Sequence, residues 1–562
     1  MTETEQLMEA FKAGRISRRA FLGAAAKLGI SASLMGSLLA AFPEPGLAKS
    51  TGRGGTLVVA MEGEADVLDP HVGVGALTDR VLFAIFEPLI ARDLVDPRGR
   101  TGKIIPGLVQ KVDLSSDHLV YTFHLKHGVK FQDGTPFDAE AVKFNIERQW
   151  DQTMVGKKNA PWFYPKAGAT RSWVWQPSGL TSIDVVDAHT VRFTLAHPFV
   201  EFLNVMTNGG PGSTCIMSPA SVKKWGNENV ANHPVGTGPF RFVDRVWGSH
   251  ITLERNPSYW NPARSAKLDQ LIFRPIASAA SRVLALQSGE VNLVFAPEPN
   301  TVAQLKASGY PVSMRENPAI WFISLSPYVK ELEDVRVRRA IAMSIDRQSM
   351  AKELLKGTVL AAESMQGRTC AAYDPSFRWY PYNPAEGRKL LKEAGYGKGF
   401  DLVFEIPTTG SGEIIPVPMA EWIARDLAKI GINVKLRTYE WIAYITHWGR
   451  GLKEDPGVGI NQMSWGGQSS LWWLNLDFLS TSGFNTRKNR IPGVDALLAE
   501  GERTFDDAKR WMICRKIDAI NKELVWDIPI VNDLAPNPMA PNVHGFVHTP
   551  GWIQDFRTVW VG

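Results

Sequence analysis

Segments with the residue pattern of β-strands alternate along most of the chain with segments that have the pattern of α-helices. Short apolar runs such as Thr56 to Ala60 predict buried strands, and apolar residues spaced three and four apart, as in Asp334 to Ile345, predict helices. This alternation predicts the α/β class, with helices layered on mixed sheets. Residues 151–180 are polar and aromatic with Gly and Pro, and they predict a long surface loop.

The first 48 residues have the composition of an export signal. Arg18 and Arg19 precede an Ala-, Gly- and Leu-rich stretch from Phe21 to Phe42, and Gly46-Leu47-Ala48 is a suitable cleavage point. The paired arginines indicate the twin-arginine export machinery as a partner. An uncleaved membrane anchor is the alternative, since the stretch is just long enough to cross a bilayer. Its Gly and Ser content favours a signal that is cleaved.

Charge and length limit the class of protein. Without residues 1–48 the chain has 514 residues, with 57 Lys and Arg against 53 Asp and Glu. This balance excludes the basic surface of a nucleic-acid-binding protein. The length exceeds what one hydrophobic core supports, so two or three domains are expected. Cys215, Cys370 and Cys514 lack the spacing of a metal site, and the sequence does not select a pair that would form a disulfide.

The sequence lacks the motifs of a catalytic centre, a metal site or a bound cofactor. It has no His-Glu-x-x-His segment and no Gly-x-Ser-x-Gly nucleophile elbow. Gly52-Arg53-Gly54-Gly55 precedes a strand, which is the reverse of the order in a phosphate-binding loop. His124 and His127 flank a turn and are interpreted as surface histidines. No catalytic residue, metal ligand or cofactor is therefore assigned.

Three segments combine turn glycines with amphipathic helices. They are L-K-H-G-V-K-F-Q-D-G-T-P-F-D-A-E-A-V-K-F-N-I-E-R (Leu125 to Arg148), V-G-T-G-P-F-R-F (Val235 to Phe242) with R-N-P-S-Y-W (Arg255 to Trp260), and D-V-R-V-R-R-A-I-A-M-S-I-D-R (Asp334 to Arg347). With these three segments in this order, the chain resembles a known family. This family is the extracytoplasmic solute-binding proteins of family 5, the dipeptide, oligopeptide and nickel type. The resemblance extends over the whole chain after the signal.

These segments are interpreted as scaffold. Gly236 and Gly238 are expected to allow backbone geometry that other residues resist. Arg336, Arg338 and Arg339 are interpreted as a solvated helix face, and a docking surface for a membrane permease is the alternative.

The resemblance implies a two-lobed periplasmic binding protein fold with mixed sheets, two hinge strands and an extra subdomain on the larger lobe. The hinge strands are expected around 311–330 and 520–535. The predicted limits are 1–48 for the signal, 49–96 with 212–312 and 526–562 for lobe I, 97–211 for the extra subdomain, and 316–525 for lobe II.

The function implied by the resemblance is that of the periplasmic substrate-binding component of an ABC importer. Such a protein captures a small organic solute, which here is peptide-like, opine-like or sugar-like, and delivers it to a permease in the membrane. It is expected to be a monomer and not an enzyme. A periplasmic enzyme exported in the folded state and a sensor or chaperone with the same fold are the alternatives.

Peptide-binding members of the family hold the α-amine of the peptide with the aspartate of a Trp-x-x-Asp motif. The matching stretch here is Trp465-Gly466-Gly467-Gln468, so an amide replaces the aspartate. An amide does not compensate the desolvation of a buried ammonium group. The replacement argues against binding of a peptide α-amine in the way usual for the family. Asp477, farther along the sequence, is the alternative partner for such an amine.

Aromatic residues are concentrated in the same part of the sequence. Flat aromatic side chains with a few hydrogen-bonding groups suit sugars, opine-like compounds and amphipathic organic solutes. The alternative is that most of the tryptophans pack the core and that Glu64 only forms a turn. The predicted ligand-binding residues are Trp465, Gln468, Trp472, Tyr439, Trp441, Trp321 and Glu64.

Overall fold

Three large sheets form the framework of the protein. The computed structural model describes residues 52–73, 75–94, 103–168, 171–207, 214–410, 412–466, 469–489, 491–549, 551 and 553–562. The chain divides into a unit of Met1–Gly54 with Gly562 and a unit of Gly55–Val561, and the sheets belong to the second unit. The predicted α/β class with mixed sheets is confirmed. Among the described helices, none is long and apolar enough to cross a bilayer.

Five strands form the first sheet, and we call the part built on it the first lobe. Their spatial order is Phe240–Val246, His250–Arg255, Gln270–Pro275, Thr56–Met61 and Leu293–Val294. Thr56–Met61 runs parallel to both of its neighbours, and the first three strands pair antiparallel. Helix Ala76–Ile85 shares a hydrophobic core with this sheet.

Gly236 and Gly238 lie against the last turn of that helix. A Cβ atom would lie 2.2 Å from the carbonyl oxygen of Ile85 at Gly236 and 2.5 Å from it at Gly238. The Gly238 N–H donates to the same oxygen at 2.8 Å. Neither glycine has a left-handed backbone. The expectation of unusual backbone geometry is therefore wrong, because these positions require glycine for close approach.

Four antiparallel strands form the second sheet, which is the centre of the extra subdomain. Their order is Val109–Leu114, Val120–Leu125, Thr190–Leu195 and Leu180–Asp187. Helix Ala139–Gln149 packs on this sheet, and the Asp138 side chain caps it by accepting from the Ala141 N–H at 2.9 Å.

The predicted surface loop over residues 151–180 is only partly a loop. Trp175 is 1% exposed and lies with Val174 in the core of the extra subdomain. The segment contains helical turns at Gln152–Val155, Arg171–Trp175 and Gln176–Ser178, and the second of them holds both side chains. The sequence did not predict these helical turns, because the few apolar residues of this polar segment have no regular spacing.

Six strands form the third sheet, and we call the part built on it the second lobe. Their order is Val359–Ala361, Asp527–Asp533, Ile320–Leu325, Val458–Trp465, Phe400–Pro407 and Ile432–Tyr439. One hydrophobic cluster includes side chains of helices Val335–Ser344 and Pro416–Ala428. A second cluster includes side chains of helices Trp441–Arg450, Ser470–Phe478, Val494–Glu502 and Asp507–Leu524. The sheet contributes to both clusters, and alternate residues of Ile320–Leu325 belong to different ones.

The chain passes twice between the first and second lobes, and the two crossing segments lie side by side. The N–H groups of Arg315 and Asn317 donate to the carbonyl oxygens of Leu534 at 2.8 Å and Asp533 at 2.9 Å. Val312–Ser313 also pairs with Asn537–Pro538. Strand Asp527–Asp533 belongs to the six-stranded sheet, whereas the predicted limit assigned residues 526–562 to lobe I. The second crossing between the lobes therefore comes after Asp533 and not before residue 526.

The prediction of a solvated arginine face is wrong for Arg338, which is 3% exposed. Its guanidinium donates to the carbonyl oxygens of Leu524 at 2.6 Å and Leu332 at 2.7 Å, and it lies 3.7 Å from the ring centroid of Trp526. Arg336 on the same helix is exposed, as predicted.

The other described elements are two-stranded ribbons and further helices. Two-stranded ribbons pair Glu87–Pro88 with Cys215–Ile216, Ile90–Arg92 with Ile104–Pro106, and Val543–His544 with Trp560–Val561. The other α-helices are Phe202–Val205, Pro219–Trp225, Ala279–Gln287, Pro299–Ala307, Arg347–Ser349 and Pro384–Glu393.

Candidate functional site

One edge of the six-stranded sheet brings together several of the predicted ligand-binding residues. Strands Phe400–Pro407, Ile432–Tyr439 and Val458–Trp465 run parallel, so their carboxyl ends lie at the same edge. Both crossing segments join the sheet at this edge, where Ile320 pairs with Trp465 on one side and with Asn532 on the other. Small molecules bind in open α/β sheets outside the carboxyl ends of the strands. The edge is therefore the candidate ligand site of the second lobe.

Trp465 is the last residue of its strand and belongs to an aromatic cluster at this edge. Its ring centroid lies 4.8 Å from that of Phe484 and 5.8 Å from that of Trp448. Tilted aromatic pairs at these distances are attractive. Trp465 is half-buried, so part of its ring remains available for a solute.

Tyr439 ends the neighbouring strand and is held by a polar network. Its hydroxyl donates to Glu405 Oε1 at 3.0 Å, and its ring stacks on His447 with 5.2 Å between centroids. Arg437 Nη1 contacts Glu405 Oε1 at 3.1 Å and Asp455 Oδ2 at 2.5 Å. The network orients the Tyr439 ring at the carboxyl edge.

Glu405, His447 and Asp455 offer metal-ligand atoms that lie within 4.8 Å of one another, although no sequence motif marks them. The Arg437 guanidinium contacts both carboxylates and so supplies the positive charge that a metal ion would bring. The four side chains therefore form an ion-pair cluster in which Arg437 takes the place of a metal ion.

Trp441 follows Tyr439 by two residues and opens helix Trp441–Arg450. Its ring packs on Gly410 in the loop after strand Phe400–Pro407. The contact is so close that a Cβ atom added at Gly410 would lie 2.3 Å from the ring. This contact fixes that loop against the edge.

The structure places Trp321 differently from the other predicted residues. It is 1% exposed and belongs to the core of the second lobe. The prediction that Trp321 presents a surface to the solute is not supported by this position. Its alternative interpretation as a packing residue fits the burial.

Glu413 was missed by the sequence analysis, because an acidic residue in a Gly-rich loop resembles an exposed turn. It is fully buried and accepts hydrogen bonds from Gln462 Nε2 at 2.5 Å and from the Ser464 N–H at 3.2 Å. Burial raises the pKa of Glu413 to about 8, although these hydrogen bonds partly oppose the shift. Burial therefore favours the protonated form of Glu413, which lies beside strand Val458–Trp465 near the carboxyl edge.

Glu64 lies shortly after strand Thr56–Met61 of the first lobe. Its carboxylate accepts from Arg245 Nη2 at 3.0 Å and from the Gly248 N–H at 3.1 Å. These contacts tie this segment to the hairpin of Phe240–Val246 and His250–Arg255. The position fits the interpretation of Glu64 as a turn-forming residue, and its predicted contact with a solute stays a prediction.

Trp472 contacts two parts of the molecule. Its half-buried side chain packs against the core of the extra subdomain and against the core of the second lobe. Nearby, the Val200 N–H donates to the carbonyl oxygen of Glu502 at 2.9 Å, and His118 stacks on Phe505 with 3.8 Å between centroids. The extra subdomain therefore closes directly on the second lobe.

Asp477, the alternative partner for an amine, is buried within the second lobe beside Arg487. Burial raises the pKa of Asp477 to about 6, and the charge of Arg487 opposes this shift. Arg487 forms an ion pair with Asp527 and donates to the backbone carbonyl oxygen of Asp477 at 2.8 Å. Gln468, Arg18 and Arg19 lie outside the described residues.

Comparison with known proteins identifies the relatives of this chain. The family model described as "Bacterial extracellular solute-binding proteins, family 5 Middle" matches residues 103–485. A di/tripeptide-binding protein of Pseudomonas aeruginosa is 29% identical over 544 residues, which cover 95% of this chain and 98% of that protein. A glutathione-binding protein of Escherichia coli is 28% identical over 529 residues, covering 92% of this chain and 94% of that protein.

The fold is similar to that of solved periplasmic binding proteins. A binding protein from Helicobacter pylori, solved with the peptide STSA, superposes with a TM-score of 0.77 at 26% identity, covering 91% of this chain and 99% of that one. The expected two-lobed fold and the expected role in import are thereby confirmed. The chain belongs to the bacterial extracellular solute-binding proteins of family 5 and is the substrate-binding component of an importer.

Proposed function

We propose that the protein captures a short peptide, or a peptide-like compound such as glutathione, at the carboxyl edge of the six-stranded sheet. The main support is the match along nearly the whole chain to relatives named for binding di- and tripeptides and glutathione. The aromatic surface of Trp465, Trp441 and Tyr439 supports it, because aromatic side chains beside a few polar groups suit an amphipathic solute.

Delivery of the solute requires partners outside this chain. We infer that the twin-arginine machinery recognises Arg18 and Arg19, that cleavage after Ala48 releases the chain into the periplasm, and that a membrane permease takes the solute from the closed protein. The near balance of 57 basic and 53 acidic residues after the signal gives the protein no strong attraction to nucleic acid.

A thermal-shift screen of the chain from residue 49 onward tests the solute class. A solute that binds only the folded state raises the melting temperature by mass action. Dipeptides, tripeptides and glutathione are expected to raise it, whereas sugars and opines leave it unchanged. A shift with sugars or opines alone would overturn the proposal and would assign the aromatic edge to those solutes.

A further inference from the structure

Glu201 lies where the extra subdomain meets the second lobe. It is 4% exposed and directly precedes helix Phe202–Val205. Its Oε1 accepts from the Ser469 hydroxyl at 2.8 Å, and its Oε2 accepts from Asn204 Nδ2 at 2.6 Å. Ser469 precedes helix Ser470–Phe478 of the second lobe. The carboxylate of Glu201 therefore spans the junction between the two parts.

The local charges leave this carboxylate without a direct counter-ion. Among the described residues, no basic side chain lies within 4.0 Å of it, and both of its hydrogen-bond donors are neutral. Two arginines lie farther away: Arg510, which pairs with Asp507, and Arg92, which donates to Asn204 beside Glu201. Burial raises the pKa of Glu201 despite the hydrogen bond from Ser469 and the charge of Arg510. A buried carboxylate is stabilised most strongly by a cation that is buried with it.

The aromatic ring of Trp472, three residues after Ser469, packs on the cores of both parts. The junction thus places an aromatic ring beside a buried acid that none of the described basic side chains contacts directly. A small cationic group of a solute would find charge neutralisation and exclusion of water there.

We propose that Glu201 is a ligand-binding residue that receives the positively charged amino group of the solute when the extra subdomain closes on the second lobe. This inference rests on the proposed function, because a peptide or glutathione supplies such an amino group. It extends the binding site beyond the two lobes to the extra subdomain.

Isothermal titration with paired solutes tests this role. The probes are trialanine and glutathione, each with a free amino group and with an N-acetyl group. Glu201→Gln keeps the size of the side chain and removes its charge, so affinity for the free-amine form is expected to fall roughly tenfold to hundredfold. Affinity for the acetylated form is expected to stay within about twofold, since that form carries no cation.

Two further variants separate charge from structure. Glu201→Asp retains the charge, so the preference for the free amine is expected to persist even if the affinity decreases. Glu147→Gln is the matched control, because Glu147 lies in the same subdomain and faces Lys143 of its own helix at 4.0 Å. This control is expected to bind all four compounds like the wild type.

Three outcomes would overturn the inference. Equal weakening of free and acetylated forms by Glu201→Gln would assign Glu201 a purely structural role in closure. Unchanged affinity for the free-amine forms would remove any role in binding. If the wild type bound none of the four compounds, the proposed function itself would fail, and the Glu201 variants would not be needed to show it.

Discussion

Arg148 and Asp69 form a buried bidentate ion pair between the extra subdomain and the first lobe. Nη2 of Arg148 lies 2.5 Å from Oδ2 of Asp69, and Nη1 donates to Oδ1 at 3.0 Å. The side chains are 0% and 2% exposed. Arg148 is the last residue of the Leu125 to Arg148 segment that carries the family resemblance, and Asp69 lies between strand Thr56–Met61 and helix Ala76–Ile85. The pair joins these segments and positions the extra subdomain.

Removing one partner of this pair is expected to destabilise the protein strongly. Arg148→Ala leaves the Asp69 carboxylate buried without its cation, and the free energy of unfolding should fall by about 3 to 5 kcal/mol. Urea unfolding followed by circular dichroism measures this change. Lys166→Ala is the control, because it breaks the exposed Lys166–Glu228 pair, and its effect should stay below about 1 kcal/mol. Equal effects of the two substitutions would contradict the account.

His71 makes stability depend on pH. Its Nδ1 accepts from Arg148 Nη1 at 2.8 Å and its Nε2 lies 3.0 Å from the carbonyl oxygen of Cys215. Burial, followed by the charge of Arg148, lowers the pKa of His71 from 6.5 to about 4. Between these values the unfolded state binds more protons, so stability should decrease as the pH falls from about 6.5 to about 4, by ~3 kcal/mol in total.

The variant His71→Gln tests this dependence. Its amide can accept from Arg148 and donate to the Cys215 carbonyl without titrating. The variant is expected to lose less stability than the wild type between pH 6.5 and pH 4.5, as measured by urea unfolding at several pH values. Parallel pH profiles of variant and wild type would show that His71 is not the titrating group.

Glu413 is expected to give a pH dependence of the opposite sign. Because burial raises the pKa of Glu413 to about 8, the folded state binds more protons than the unfolded state above the ordinary pKa of 4.5. Its contribution to stability is present below pH 4.5 and decreases as the pH rises through 8, with a slope of about 1.4 kcal/mol per pH unit between these values. Glu413→Gln should remove this decrease, so the variant should become more stable relative to wild type between pH 6 and pH 8.5. A constant difference over this range would contradict the assignment.

Gly238→Ala tests the close approach of the glycine turn to helix Ala76–Ile85. The added Cβ would lie 2.5 Å from the Ile85 carbonyl oxygen, so the helix or the turn must shift and the melting temperature should decrease. Gly449→Ala is the matched control, since it lies in helix Trp441–Arg450 with no atom within 4 Å of its new Cβ. The control should be neutral or more stable by up to about 1 kcal/mol. A stable Gly238→Ala variant would show that the turn tolerates a side chain.

The regular elements were largely predictable from the sequence. The strand predicted over Thr56 to Ala60 is observed at Thr56–Met61, and the helix predicted over Asp334 to Ile345 is observed at Val335–Ser344 with these two residues as its caps. Local signals determine these features, because period-2 patterns and capping side chains act within a few residues. Gly236 and Gly238 were recognised as turn glycines, but the reason for them is the contact with Ile85, much earlier in the chain, and it needed the structure.

The candidate site was only partly predictable. Tyr439, Trp441 and Trp465 meet at one edge, because the ends of parallel strands converge there. The burial of Trp321 and Arg338 depends on which face of the sheet or helix is covered by other elements. The local sequence around each residue does not determine this. Glu201 and Glu413 carry no motif, and only their contacts with distant residues distinguish them from surface acids.

The most direct measurement of the central claim is isothermal titration of the chain from residue 49 onward with a tripeptide and with glutathione, for the wild type and for the double variant Trp465→Ala, Gln468→Ala. The account predicts that at least one of these compounds binds the wild type at one site, and that the double variant binds it roughly tenfold or more weakly while its melting temperature stays near that of the wild type. Full retention of affinity in the double variant would contradict the placement of the solute at this edge. Failure of the wild type to bind either compound would contradict the proposed peptide-like solute.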